Sequence, residues 1–200
     1  MPFIDFFKNP FATPEAKVRA VFSDLPELST QRLRLVKITP EYAQDMYEYS
    51  CDADVTKYLT WSPHSSVKET ERYIKLLQKR YQSGAFNDWG LVLKENGKFI
   101  GTCGYTSFDF EKNRAELGYV LSRDYWGMGL AVEACLEVMR FGCETFGFEN
   151  YFAKCMQGND ASMRVMQKLG MKLEGIYNNS MFIKGEYKTI IVYSTTSDNK

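Results

Sequence analysis

The sequence predicts a single α/β domain built on a mixed, mostly antiparallel sheet. Three observations carry this. From Gln31 onward, short runs alternate apolar and polar residues, the pattern of strands with one buried face. Glu95-Asn96-Gly97-Lys98 joins two such runs, and Asn-Gly supplies the positive φ angles of a tight antiparallel hairpin. Amphipathic helical stretches are interleaved with the strands rather than kept apart from them. A length of 200 residues suits one domain with an appendage better than two full domains.

The elements follow in order. Phe3, Ile4, Phe6, Phe7 and Phe11 crowd around Pro2 and Pro10, and Pro14 to Phe22 is spaced as a short helix. Residues 1–28 thus read as an aromatic extension packed on the rest, since exposed aromatic clusters are rare in stable monomers. It also leaves room for a homodimer. Leu33 and Leu35 alternate with Arg32 and Arg34 in a first strand. Pro40 opens a helical run to Tyr49, and a short one covers Asp52 to Leu59. Val67, Tyr73, Ile74, Leu77 and Tyr81 make a helix of 66–81, with Ser66 and Glu69 as its capping box. Trp89–Leu93, Phe99–Tyr105 and Arg114–Leu121 form a three-stranded meander.

The clearest helix runs from Gly127 to Phe146. Leu130, Ala131, Ala134, Cys135, Val138 and Met139 line one face; Glu133, Glu137, Arg140 and Glu144 line the other. Tyr151–Met156 is a strand, Ala161–Leu169 a helix ended by Gly170, and Met171–Ile176 and Tyr187–Tyr193 are closing strands. The domain spans 29–194, with a tail at 195–200.

Composition excludes several function classes. Lys plus Arg and Asp plus Glu each number 25, so there is no basic excess for nucleic acid or an anionic membrane. No stretch approaches the roughly 18 apolar residues of a membrane span. The single histidine, His64, rules out multi-histidine metal sites, and no metal is expected. It reads as a solvated loop residue. Cys51, Cys103, Cys135, Cys143 and Cys155 are odd in number and contain no C-x-x-C pair. They read as reduced core fillers of a cytoplasmic protein. The start carries no signal-peptide pattern, so the sequon at Asn178 has no expected use.

The chemistry-bearing segment is Leu121-Ser122-Arg123-Asp124-Tyr125-Trp126-Gly127-Met128-Gly129-Leu130-Ala131. A strand ends, a loop turns, and a helix starts on glycines. The first N–H groups of a helix are unpaired and its dipole favours negative charge, so such a start accepts phosphate. Glycines let the anion approach. A dinucleotide fingerprint and a P-loop are both absent.

Ala115-Glu116-Leu117-Gly118-Tyr119-Val120-Leu121 followed by Tyr125-Trp126-Gly127-Met128-Gly129-Leu130-Ala131 resembles the acetyl-CoA motif of the GNAT superfamily of N-acetyltransferases. More narrowly it is similar to the ribosomal-protein (Rim-type) branch. Leu28 to Leu35, Cys51 to Leu59 and Asn159 to Met171 match further blocks of that branch in the same order. The resemblance implies a GNAT-type domain with a splayed parallel strand pair flanked by helices. It implies acetyl-CoA as co-substrate, held by Tyr119, Val120, Leu121, Trp126, Gly127, Met128, Gly129, Leu130 and Ala131. Asn159 and Ser162 would lie near its sulfur.

The implied reaction moves an acetyl group to a primary amine, by direct attack in a ternary complex. The amine must be neutral: at pH 7 an α-amine is so about one time in ten and lysine far more rarely. Glu116 is the expected base, since a carboxylate amid apolar neighbours suits that task. Its competing reading is an edge-strand glutamate facing water or paired to Arg114. Ser162 is the expected donor to the leaving sulfur, against an ordinary first-turn serine. Tyr58 and Trp61, with Glu116, are the expected acceptor-side residues. The acceptor is read as a protein N-terminal amine or a small amine. The contrasting reading is a non-catalytic acyl-CoA sensor or scaffold.

Overall fold

The computed structural model describes residues 13–85 and 87–195; the aromatic cluster at 3–11 lies outside them. Helix α1 (Pro14–Ser23) starts where Thr13 Oγ1 accepts from the Ala16 N–H at 3.2 Å, with proline in its first turn. It buries Val18, Val21 and Phe22, and the Phe22 ring meets Trp89 at 5.3 Å and Phe146 at 6.1 Å. Residues ahead of the first long strand are therefore part of the core.

Next come strands β1 (Leu28–Ser29) and β2 (Leu33–Val36), then a 3₁₀ turn at Pro40–Tyr42. Helices α2 (Ala43–Ser50), α3 (Ala53–Thr56) and α4 (Val67–Gln82) follow. Ile74, Leu77 and Tyr81 form the buried stripe of α4, each contributing about 1.5–3 kcal/mol. The expected capping box is half present. Ser66 Oγ accepts from the Glu69 N–H, but the Glu69 carboxylate turns to the N–H and Oγ of Ser65, both at 2.7 Å.

The meander is β3 (Asp88–Leu93), β4 (Phe99–Asp109) and β5 (Arg114–Leu121). Its first hairpin closes with Gly97 at φ +73°, a left-handed value that glycine adopts freely. Helix α5 (Leu130–Phe146) begins three residues later than the pattern predicts, because Gly127 and Gly129 sit at φ +77° and +78°. The chain ends with β6 (Asn150–Met156), α6 (Asp160–Lys168), β7 (Lys172–Ile183) and β8 (Glu186–Ser194).

Strand β7 is twice as long as its pattern suggests, and takes in the sequon. It is the edge of the sheet and exposed on both faces over most of its length, so no alternation marks its end. A register shift between Tyr177 and Met181, with Asn179 at φ +46°, interrupts its pairing with β8.

The eight strands run β1-β2-β3-β4-β5-β6-β8-β7. Only β5 and β6 are parallel; every other pair is antiparallel. Helices α1, α5 and α6 cover one face around Trp89, Tyr105 and Leu117; α2 and α4 cover the other around Ile38, Phe99 and Leu77. Gly142 in α5 has no room for a side chain, since a Cβ there would lie 2.4 Å from the Tyr105 hydroxyl and 2.7 Å from that of Tyr151. Those phenols donate to the Val138 and Met139 carbonyls of the same helix. All five cysteines are free: Cys103, Cys135 and Cys155 are buried as expected, whereas Cys51 and Cys143 are exposed.

Candidate active site

The pairing of β5 with β6 stops at Leu117↔Ala153, while β5 continues along β4 to Leu121 and β6 along β8 to Met156. Gly118 to Leu121 and Lys154 to Met156 therefore diverge, and their facing backbone edges open a cleft. One end of β5 leads into the glycine loop. Among the described residues none accepts from the N–H of Gly127, Met128 or Gly129, and α5 has no side-chain cap. A Cβ on Gly127 would meet nothing within 4 Å. Several unpaired donors thus lie at the positive end of a 17-residue helix, beside a glycine with open space at its Cβ position, which fits a pyrophosphate.

Side chains hold this loop in place. The Trp126 indole folds back and donates to the Leu121 carbonyl at 2.7 Å. Arg123 pairs with Asp52 and Asp54 of the α3 region at 3.1 and 2.9 Å. On the other side Arg32 donates to the Met128 carbonyl at 2.9 Å and to Glu133 Oε2 at 2.7 Å. Glu133 also accepts from Thr30 Oγ1 and the Arg32 N–H. Burial pushes the Glu133 carboxyl up, but these hydrogen bonds outweigh it and hold the group below its usual range. Arg32, Thr30 and Glu133 escaped sequence reasoning because the contact joins positions about a hundred residues apart.

Asn159 is the N-cap of α6: its Oδ1 accepts from the Ser162 N–H at 3.2 Å. Ser162 Oγ lies 2.8 Å from the Tyr119 hydroxyl, which also donates to the Ser162 carbonyl at 3.1 Å. Burial pushes the Tyr119 phenol well up, so it stays a hydroxyl. The structure thus joins three of the predicted cofactor-side residues in one short network at the cleft.

The cleft opens into a chamber of about 620 Å³ that reaches from Tyr119, Asn159 and Ser162 through to the α2–α4 face of the sheet. Tyr58 and Trp61 both line it, as do Glu116, Val120 and Lys154. Glu116 accepts from Ser107 Oγ at 2.7 Å and Lys154 Nζ at 3.0 Å. Both contacts fall on Oε2, and among the described residues none is made to Oε1. The expected Arg114 partner is taken elsewhere, by Asp109 at 3.2 Å and Glu174 at 3.1 Å. Lys154 was missed; its signal is the one charge in the otherwise uncharged run Tyr151 to Met156.

His64 is not a solvated loop residue. Its Nδ1 lies 2.8 Å from Thr70 Oγ1 and 3.1 Å from Ser50 Oγ, and its ring packs between Trp61 and Tyr73. Burial holds the imidazole below its ordinary pKa and therefore neutral at pH 7. Asp88 also lines the chamber, and burial pushes its carboxyl up from 3.8 to about 7. Tyr73 is pushed up to about 12 by the same cause.

A family model for the acetyltransferase (GNAT) domain matches residues 32–172. The chain belongs to the GNAT acetyltransferase family. It is an acetyl-CoA-dependent N-acetyltransferase, as the motif resemblance implied. The uncharacterized N-acetyltransferase p20 of Bacillus licheniformis is 31% identical over 167 residues, covering 84% of this chain and 94% of that protein. A GNAT-family acetyltransferase of Bacillus anthracis superposes with a TM-score of 0.75 at 22% identity, covering 84% of this chain and 97% of that one. RimL, a ribosomal L7/L12 α-N-protein acetyltransferase solved with coenzyme A, gives 0.72 at 17%, covering 88% and 100%. Among the described residues of this GNAT chain, no helix is long and apolar enough to cross a membrane, and no cluster of three or more His, Cys, Asp or Glu side chains could hold a metal ion.

Proposed function

We propose that this acetyltransferase acts on the primary amine of a small molecule, by direct attack within a ternary complex. A protein N-terminal amine is the second reading. One observation carries the proposal: the splayed stretch of β5 leads at one end into the glycine loop and lines, along its length, a chamber that joins Tyr119 and Ser162 to Glu116 and Lys154. The chamber, which must also take the thioester end of the cofactor beside Tyr119 and Ser162, leaves room for a small acceptor that enters whole.

Acetyl-CoA supplies the activated acetyl thioester. The N–H groups of residues 127–131 would receive its phosphates beside the Trp126 ring, and the free edge of Tyr119, Val120 and Leu121 would pair with its amide-bearing arm. Glu116 would take the amine's proton on Oε1, directly or through water, while Ser107 and Lys154 keep the carboxylate in one orientation. The Tyr119 proton is given to the Ser162 carbonyl, so the Ser162 hydroxyl proton is shared between the Tyr119 oxygen at rest and the leaving sulfur in the reaction, while Asn159 fixes the backbone. Direct attack is supported by the state of the cysteine that lines the site. Burial pushes the Cys155 thiol up to about 11, so it is no thiolate nucleophile at neutral pH.

The test is thiol release from acetyl-CoA against a panel of small amines and peptides with different N-termini. Turnover with intersecting initial-velocity lines is expected. Tight acetyl-CoA binding with no turnover on any amine would instead favour a sensor.

A further inference from the structure

Asp88 has no part in the chemistry above, yet it faces the same chamber. It opens β3, and the register Asp88↔Gly104↔Gly118 puts it in one row across three strands on the acceptor face. Gly104 makes its position possible. A Cβ there would lie 2.4 Å from Asp88 Oδ1, so the carboxyl rests over bare backbone, directed from β3 toward β5. Oδ1 is buried and has no hydrogen-bond partner. A buried, unsatisfied carboxylate oxygen is costly unless something fills its bonding site.

Charge around it is unbalanced. The acidic and basic side chains lining the chamber are Asp88, Glu116, Lys154 and a neutral His64. Lys154 is committed to Glu116. Arg80 on α4 donates to the Ala85 carbonyl and reaches Asp88 only through space. Tyr49 and Tyr73 stand on the same walls and are held as neutral phenols. An aromatic enclosure holding a carboxylate with no directly bonded cation attracts one.

Resting on the acetyltransferase reading above, we propose that Asp88 anchors a second, protonated nitrogen of the acceptor. The preferred acceptors are then short diamines or similar amines with a cationic nitrogen. Neighbouring strands are about 4.8 Å apart, so Asp88 and Gly118 lie roughly 10 Å apart at the backbone, and the inward-leaning carboxyl shortens the span to that of about four to six bonds between the two nitrogens. Asp88 is a specificity residue here, and Glu116 remains the base.

The experiment compares 1,4-diaminobutane with butylamine, in the full chain and in Asp88→Asn, which keeps the side-chain shape. The wild type should prefer the diamine by about tenfold to a hundredfold in kcat/KM, the range of a charge-assisted hydrogen bond. In Asp88→Asn that ratio should collapse toward one, chiefly through a higher KM for the diamine. An unchanged ratio would overturn the proposal. So would an equal fall of kcat for both amines, which would make Asp88 part of the proton path. Wild-type turnover of butylamine without preference removes the anchor and leaves the acetyltransferase reading standing. If neither amine turns over, calorimetric titration of the coenzyme A-bound protein with the diamine decides: binding lost in Asp88→Asn supports the anchor, and equal or absent binding overturns it.

Discussion

The two sides of the cleft are built from different materials. The side proposed for the cofactor is mostly backbone: a free strand edge, two left-handed glycines and a helix start, all within residues 118–131. The acceptor side is side chains drawn from α2, α4, β3, β5, β6 and the β7–β8 hairpin. Backbone recognition tolerates many side chains but not a change of conformation, whereas side-chain recognition can be altered one residue at a time. A single scaffold can therefore keep its donor while its acceptor changes.

Substitutions can break that contrast. The largest effect is expected from Gly129→Val: a β-branched residue at φ +78° is strained, and acetyl-CoA affinity should fall by about a hundredfold or more in calorimetry. Affinity near wild type would remove the glycine loop from cofactor binding. Next comes Glu116→Gln, which should lower kcat by about 10²–10⁴ while the folded protein still binds acetyl-CoA. A kcat within a few-fold of wild type would mean that a water chain, not Glu116, takes the proton.

Arg32→Ala tests whether side chains nonetheless govern the backbone side. It removes the contacts to Met128 and Glu133. Because the pair is partly exposed, the expected loss is about 1 kcal/mol in denaturant melts, with a several-fold weaker acetyl-CoA complex. Unaltered affinity would show that the loop holds its shape without the clamp.

The last test turns on pH. Burial raises the Asp88 carboxyl from 3.8 to about 7, so the folded chain keeps a proton that the unfolded chain releases. That contribution is present below about pH 4 and is lost as pH rises through about 7. Asp88→Asn should thus match the wild type near pH 4 and exceed it by about 1–3 kcal/mol near pH 8 without ligand. A gain of equal size at both pH values would contradict a buried, proton-binding Asp88.

The same contrast explains what could be read beforehand. The glycine loop, the meander and the amphipathic face of α5 are local patterns, so the sequence alone located them to within a few residues. Tyr58 and Trp61 were found through the motif resemblance and do line the chamber. Lys154, Asp88 and the neighbours of His64 could not be found that way. Asp88 looks like an ordinary polar residue before a strand, and only the register opposite Gly104 turns its carboxyl into the chamber. Strand β7 was read short because an edge exposed on both faces carries no inside-outside code.

Gly142 has a mechanical meaning. The phenols of Tyr105 and Tyr151 fasten α5 to the sheet there, and the glycine loop proposed to hold the phosphates sits at the far end of the same helix, about 20 Å away at 1.5 Å per residue. The helix is a pointer with its pivot at one end. Any side chain at the pivot that tilted it by about six degrees would swing the tip by about 2 Å, more than a hydrogen bond tolerates. A residue that touches neither substrate thereby sets where the phosphates land.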